Sequence, residues 1–67
     1  MNKKFFLATM NIRNVANTIG QRVKSVEMLD DTGLIYRVSY QGGDFQEFRL
    51  GLDTLEIVYI TKLNFTL

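Results

Sequence analysis

Leu34-Ile35-Tyr36-Arg37-Val38-Ser39-Tyr40-Gln41-Gly42-Gly43-Asp44-Phe45-Gln46-Glu47-Phe48-Arg49-Leu50 is the stretch that decides the fold. Its first half alternates: Leu34, Tyr36, Val38 and Tyr40 fall on one face of a strand, and Ile35, Arg37 and Ser39 on the other. Gln41-Gly42-Gly43-Asp44 is a turn, since Gly supplies positive φ and Asp tolerates turn geometry. Alternation resumes from Phe45 to Leu52, with Phe48, Leu50 and Leu52 opposite Glu47 and Arg49, and Gly51 marks a bulge or a close backbone approach. On the N-terminal side, Arg22 to Leu29 reads as another strand, joined through the turn Asp30-Asp31-Thr32-Gly33. Turns about a dozen residues apart favour a meander of antiparallel strands.

The two ends of the chain are less regular. Lys3 to Met10, rich in Phe and Leu, reads as a strand. Asn11 to Ile19 reads as a short helix, because Ile12, Val15, Ala16 and Ile19 keep the i, i+3, i+4, i+7 spacing. Asn11 is the candidate cap and Gly20 the candidate left-handed terminator. From Thr54 to Leu67, Leu55, Ile57, Tyr59, Thr61, Leu63, Phe65 and Leu67 share a face, yet Val58 and Ile60 on the other face are also apolar. Two explanations stay open. The segment bends near Thr61-Lys62 with Val58 and Ile60 under the helix, or its far end pairs with another chain by strand addition. The second makes Val58, Ile60, Leu63 and Phe65 candidates for self-association.

Arg22-Val23-Lys24-Ser25-Val26-Glu27, Asp30-Asp31-Thr32-Gly33, Tyr36-Arg37-Val38-Ser39-Tyr40, Glu47-Phe48-Arg49-Leu50 and Asp53-Thr54-Leu55 together resemble, over residues 22–58, the element order of SH3-like barrels of the Tudor type. The resemblance implies a strand, an acidic turn, a second strand, a Gly turn, a third strand and a short helical turn before the last strand. The family's aromatic cage, which holds a methylated cation by cation–π attraction, does not carry over. Arg22 to Lys24 and Gln41-Gly42-Gly43 stand where the family places aromatics, which leaves Tyr36, Tyr40 and Phe45, and alternation turns both tyrosines to the core. The expected fold is mainly β (α+β by count). It is a small antiparallel meander sheet or SH3-like barrel of about five strands with one short helix near residues 11–19, in a single domain over residues 1–67.

Composition narrows the function. Of 67 residues, 46% are hydrophobic and 22% charged, which excludes a disordered chain. There is no Cys and no His. The usual disulfide, thiol nucleophile and ligands for zinc, haem or iron–sulfur clusters are therefore missing. Asp30 and Asp31 are adjacent and diverge in a turn, and no phosphate loop, dinucleotide fingerprint, nucleophile elbow or calcium loop is present. The expectation is no enzyme, no cofactor and no small-molecule substrate. A single core below about 70–80 residues supplies roughly 3–5 kcal/mol, and small domains usually add a disulfide, a metal or a partner subunit. With the first two missing, self-association is a live option.

The Lys3-Lys4-Phe5-Phe6-Leu7-Ala8 start falters at Thr9, Asn11 and Arg13 before a signal peptide is complete, and no apolar stretch approaches a membrane span. A cytoplasmic-type chain, complete as a small reading frame and without a membrane partner, is the expectation. Charge is segregated along the sequence. Residues 1–24 hold Lys3, Lys4, Arg13, Arg22 and Lys24 and no acid, for +5; residues 25–56 hold seven acids against Arg37 and Arg49, for −5.

Two functional readings follow. The first is a non-enzymatic interaction module with a protein partner, a copy of itself included. By analogy it is of the regulator or inhibitor type found among phage and mobile-element products. The alternative is a nucleic-acid-binding small β-barrel using Lys3, Lys4, Arg13, Arg22 and Lys24. Against the alternative, the pI is 8.1, whereas nucleic-acid binders usually exceed about 9.

Overall fold

The Gly turn between the two alternating runs closes as read. In a computed structural model that describes residues 3–65, the side chains of Lys4 and Phe65 excepted, β2 (Ile35–Tyr40) and β3 (Asp44–Leu50) form an antiparallel hairpin. The Gly43 amide donates to the Tyr40 carbonyl at 3.1 Å, with Gly43 at φ +96°. A Cβ there would meet nothing within 4 Å, so Gly43→Ala tests backbone strain alone. It is expected to cost about 1–2 kcal/mol in a urea melt; an unchanged midpoint would contradict that turn geometry.

β1 (Val23–Met28) pairs antiparallel with β2, and β4 (Ile57–Ile60) with β3, giving the order β1-β2-β3-β4. β5, only Asn64–Phe65, pairs with the start of β3. The fold is therefore mainly β, an antiparallel meander of four strands. It is compatible with a small-barrel arrangement, but the sheet is not closed: among the described residues β1 forms one edge and β4 with β5 the other.

The expected strand at Lys3–Met10 is a correction. α1 runs from Lys3 to Ala16, and a 3-10 turn, Asn17–Ile19, ends at Gly20 with φ +89° as expected. The physical reason is in the packing. Ala8, Ile12 and Ala16, one helical turn apart, are completely buried, and Phe5, Val15 and Ile19 join them. The spacing that marks residues 12–19 thus extends back to Phe5, and two alanines let the helix sit close on the sheet. Asn11 is mid-helix and caps nothing; its Nδ2 donates to the Leu55 carbonyl at 3.0 Å.

The helix covers one face of the sheet. Tyr36, Val38, Tyr40, Phe48 and Leu50 project into that layer with Gln46, while Ile35, Arg37, Ser39, Phe45, Glu47 and Arg49 occupy the opposite face. Three of the buried polar side chains there are paired, while Asp44 Oδ1 on the same face of β3 is not. The Tyr36 hydroxyl donates to Gly33 O at 2.9 Å, the Tyr40 hydroxyl to Gln46 Oε1 at 2.6 Å, and Gln46 Nε2 to Thr61 O at 2.8 Å.

The last segment is interrupted where one explanation placed a bend, but it does not turn away: β5 continues along β3 after β4. Residues 61–63 separate β4 from β5, and Thr61 anchors the interruption by donating its amide to Glu47 O at 3.0 Å and accepting the Glu47 amide on Oγ1 at 2.8 Å. Its faces, however, are not those of a simple alternation. Leu50 pairs with Ile57 and Arg49 with Tyr59, so Val58 is an extra bulged residue. Ile57 and Ile60 both reach the core, whereas Val58 is 64% exposed and is not under the helix. Leu52, expected beside Phe48 and Leu50, is also corrected. The chain leaves the sheet at Gly51, and Leu52 is 71% exposed.

Candidate interaction surfaces

α1 is apolar on both sides. Opposite its buried stripe, Phe6 (51% exposed), Leu7 (44%) and Met10 (47%) form a second apolar strip at i, i+1, i+4. Exposed Lys3 and Arg13 flank it, and no acid occurs on the helix. A soluble surface helix ordinarily carries polar residues on its outer face; one that is apolar all round is normally covered on all sides. Reading residues 3–10 as a strand hid this strip. Stepping the 12/15/16/19 spacing back to Ala8 and Phe5 would have exposed it.

The two acidic turns meet at one end of the sheet. β1 ends where β2 begins, and β3 ends where β4 begins, because Ile35 pairs with Arg49. Residues 29–34 and 51–56 therefore share that end, with Asp30, Asp31, Asp53 and Glu56 and no lysine or arginine. Met28, Leu29 and Leu52 are exposed beside them. The loop 51–56 is built tightly: Gly51 N donates to Glu56 O at 2.8 Å, and Leu55 N to Gly51 O at 3.0 Å. Leu55 sits at φ +58°, a conformation a branched residue adopts only when its surroundings hold it there. The Asn11 side chain, bonded to the Leu55 carbonyl, supplies part of that hold. A shallow cleft of about 430 Å³ lies between loop and helix, lined by Asn11, Asn14, Val15, Thr54, Glu56 and Ile57.

The uncovered sheet face is charged and partly self-neutralised. Arg37 lies 4.4 Å over the Phe45 ring, reaches Glu47 at 3.4 Å and stands opposite Glu27 on β1. Arg49 pairs in register with exposed Tyr59. At the end remote from the acidic turns, Lys24, Ser39, Tyr40, Gly43 and Asp44 line a cleft of about 230 Å³. Asp44 is buried there with Oδ1 unpartnered, a lone carboxylate without a second acid in the cleft. Tyr36 and Tyr40 are buried on the helix side while Phe45 lies on the other face, so these three rings do not form a cage.

The basic residues singled out in the sequence do not gather at one place. Lys3 starts α1 near the acidic end, and exposed Arg13 lies further along the helix. Arg22 and Lys24, both exposed, stand at the opposite end of the sheet, Lys24 within a bulge of β1. The Lys4 side chain lies outside the described residues. Of the candidates in the last segment, Val58 is exposed on the β4 edge, Ile60 packs on the core and Leu63 is marginally exposed. The Phe65 backbone belongs to β5, and its side chain lies outside the described residues. No helix among the described residues is long and apolar enough to cross a membrane. Compared with known protein families, curated proteins and solved structures, the chain matches none of them.

Proposed function

We propose that the chain is a non-enzymatic interaction module that docks a protein partner on the outer face of α1, acting as a regulator or inhibitor of what it binds. The observation that carries this reading is the helix itself: Phe6, Leu7 and Met10 remain in water while the opposite stripe already fills the core. Three adjacent apolar side chains left exposed on a 67-residue chain are a cost that a partner removes. Met10 stands at the centre of the strip, opposite the buried stripe, so Met10→Glu is expected to abolish capture of a partner in pull-down while leaving the thermal melt nearly unchanged. Capture that survives Met10→Glu and Leu7→Gln, or a strictly monomeric chain that captures nothing, counts against the reading.

The alternative is nucleic-acid binding through the cations of the first 24 residues. What favours it is Arg22 and Lys24, exposed two residues apart with no ion pair among the described residues. The same samples separate the two readings in a titration with single- and double-stranded DNA and RNA at low salt. Binding that falls steeply with salt and is lost in Arg22→Glu/Lys24→Glu, but not in Glu27→Lys, supports the alternative.

A further inference from the structure

We infer that the partner of this surface is a second copy of the chain, paired about a two-fold axis so that the outer face of α1 in each copy covers the acidic turns of the other. The inference rests on the interaction reading above and names its partner.

The geometry starts from where the helix lies. Phe5 stacks on Tyr36 with ring centroids 6.0 Å apart, and Tyr36 bonds to Gly33 in the first acidic turn. Asn11 bonds to Leu55 in the second. Residues 5–11 of α1 therefore pass from one acidic turn to the other, and Phe6, Leu7 and Met10 face outward above them. A cationic apolar strip and an acidic apolar rim stand side by side at one end of the molecule. The strip carries Lys3 and Arg13 and no acid; the rim carries Asp30, Asp31, Asp53 and Glu56 and no cation, with Met28, Leu29 and Leu52 among them.

Within one copy the described side chains of the two make no ion pair with each other; the ion pair found among the described residues is Arg37–Glu47, on the far face of the sheet. Neighbouring patches of opposite charge that share apolar character are self-complementary under a two-fold rotation, where residue i meets j and j meets i. Every contact is then made twice. A standard interface takes about 800 Å² from each partner, about a sixth of the 4761 Å² this chain exposes, which one end of the molecule can supply.

The test is a charge swap read by sedimentation equilibrium and light scattering. The wild-type chain is expected to run as a dimer of the 7.8 kDa protomer, with a dissociation constant that rises on adding salt. Lys3→Glu/Arg13→Glu makes both patches acidic, and Asp53→Lys/Glu56→Lys reverses two charges of the rim against an unchanged cationic strip. Each variant alone is expected to dimerise at least about tenfold more weakly, and an equimolar mixture to recover a 1:1 dimer. All four sites are exposed, so circular dichroism melts serve to show both variants folded. Leu52→Ser probes the same rim without altering charge and is expected to weaken the dimer as well. A chain monomeric up to about millimolar concentration, variants that dimerise like wild type, or a mixture no tighter than its components each overturns the inference. A monomer that still holds a different protein through Met10 overturns the dimer and leaves the interaction reading standing.

Discussion

Phe48→Ala is expected to leave the chain unfolded at room temperature. Phe48 is completely buried at the middle of β3, in register with Tyr36 on one side and Ile60 on the other. Truncating a core phenylalanine costs about 3–5 kcal/mol, part transfer and part cavity. A single core of this size holds about the same amount in total, and the chain has no cysteine with which to add a disulfide. The expected result is loss of the far-UV β signal and of a cooperative melt. Phe6→Ala, the same change on the exposed side of α1, is expected to shift the stability of the monomer by about 0.5 kcal/mol or less. A Phe48→Ala protein that melts cooperatively within a few degrees of wild type would mean that β3 does not organise the core.

Raising the pH past about 10 is expected to unfold the chain together with tyrosinate formation. Burial, with Asp30 close by, holds the Tyr36 hydroxyl above its ordinary 10.0, and burial with Asp44 does the same for Tyr40. Each hydroxyl also donates a hydrogen bond that it can make only while protonated. Below pH 10 both the folded and unfolded chains keep these protons, and the contribution is fully present. Above it the unfolded chain sheds protons that the folded chain retains, so stability falls by about 1.4 kcal/mol per pH unit for each tyrosine. The fall continues until the pH passes the raised folded-state values. In a Tyr59→Phe background, which removes the one exposed tyrosine, ellipticity and tyrosinate absorbance recorded against pH should move together. Tyr40→Phe should halve the slope while lowering the starting stability by about 1–3 kcal/mol, because Gln46 Oε1 loses its donor. Ellipticity that stays flat while tyrosinate forms would place both hydroxyls in water and contradict the packing of β2.

The central hairpin was legible because nothing in it breaks a two-residue period. Tyr36, Val38 and Tyr40 face Phe48 and Gln46 across an unbulged ladder, so each side chain falls where simple alternation puts it. Legibility failed where the period itself is interrupted or masked. Phe5-Phe6-Leu7 is apolar at three consecutive positions, which blurs the helical spacing that Ala8, Ile12 and Ala16 carry once packed. At Val58 a single inserted residue shifts the phase, so that Ile57 and Ile60, three apart, share the core while Tyr59 faces out. Such a shift depends on how β4 meets β3 and leaves no local mark. The interaction surfaces divide similarly. The acids of the two turns stand plainly in the sequence, but that residues 30–31 and 53–56 come to one end follows only from the strand order. The outer strip of α1 depended on recognising the helix in the first place.

The break in the strand at Thr61 also bears on how safely this chain can be concentrated. An unbroken ribbon from Thr54 to Leu67, apolar on both sides, would give every passing molecule a template on which to stack, the first step toward a fibril. By tying its backbone and hydroxyl to Glu47, Thr61 interrupts the described part of that ribbon between a four-residue strand and a two-residue one. Both described strands fall short of the length of about six residues that a stacking segment takes.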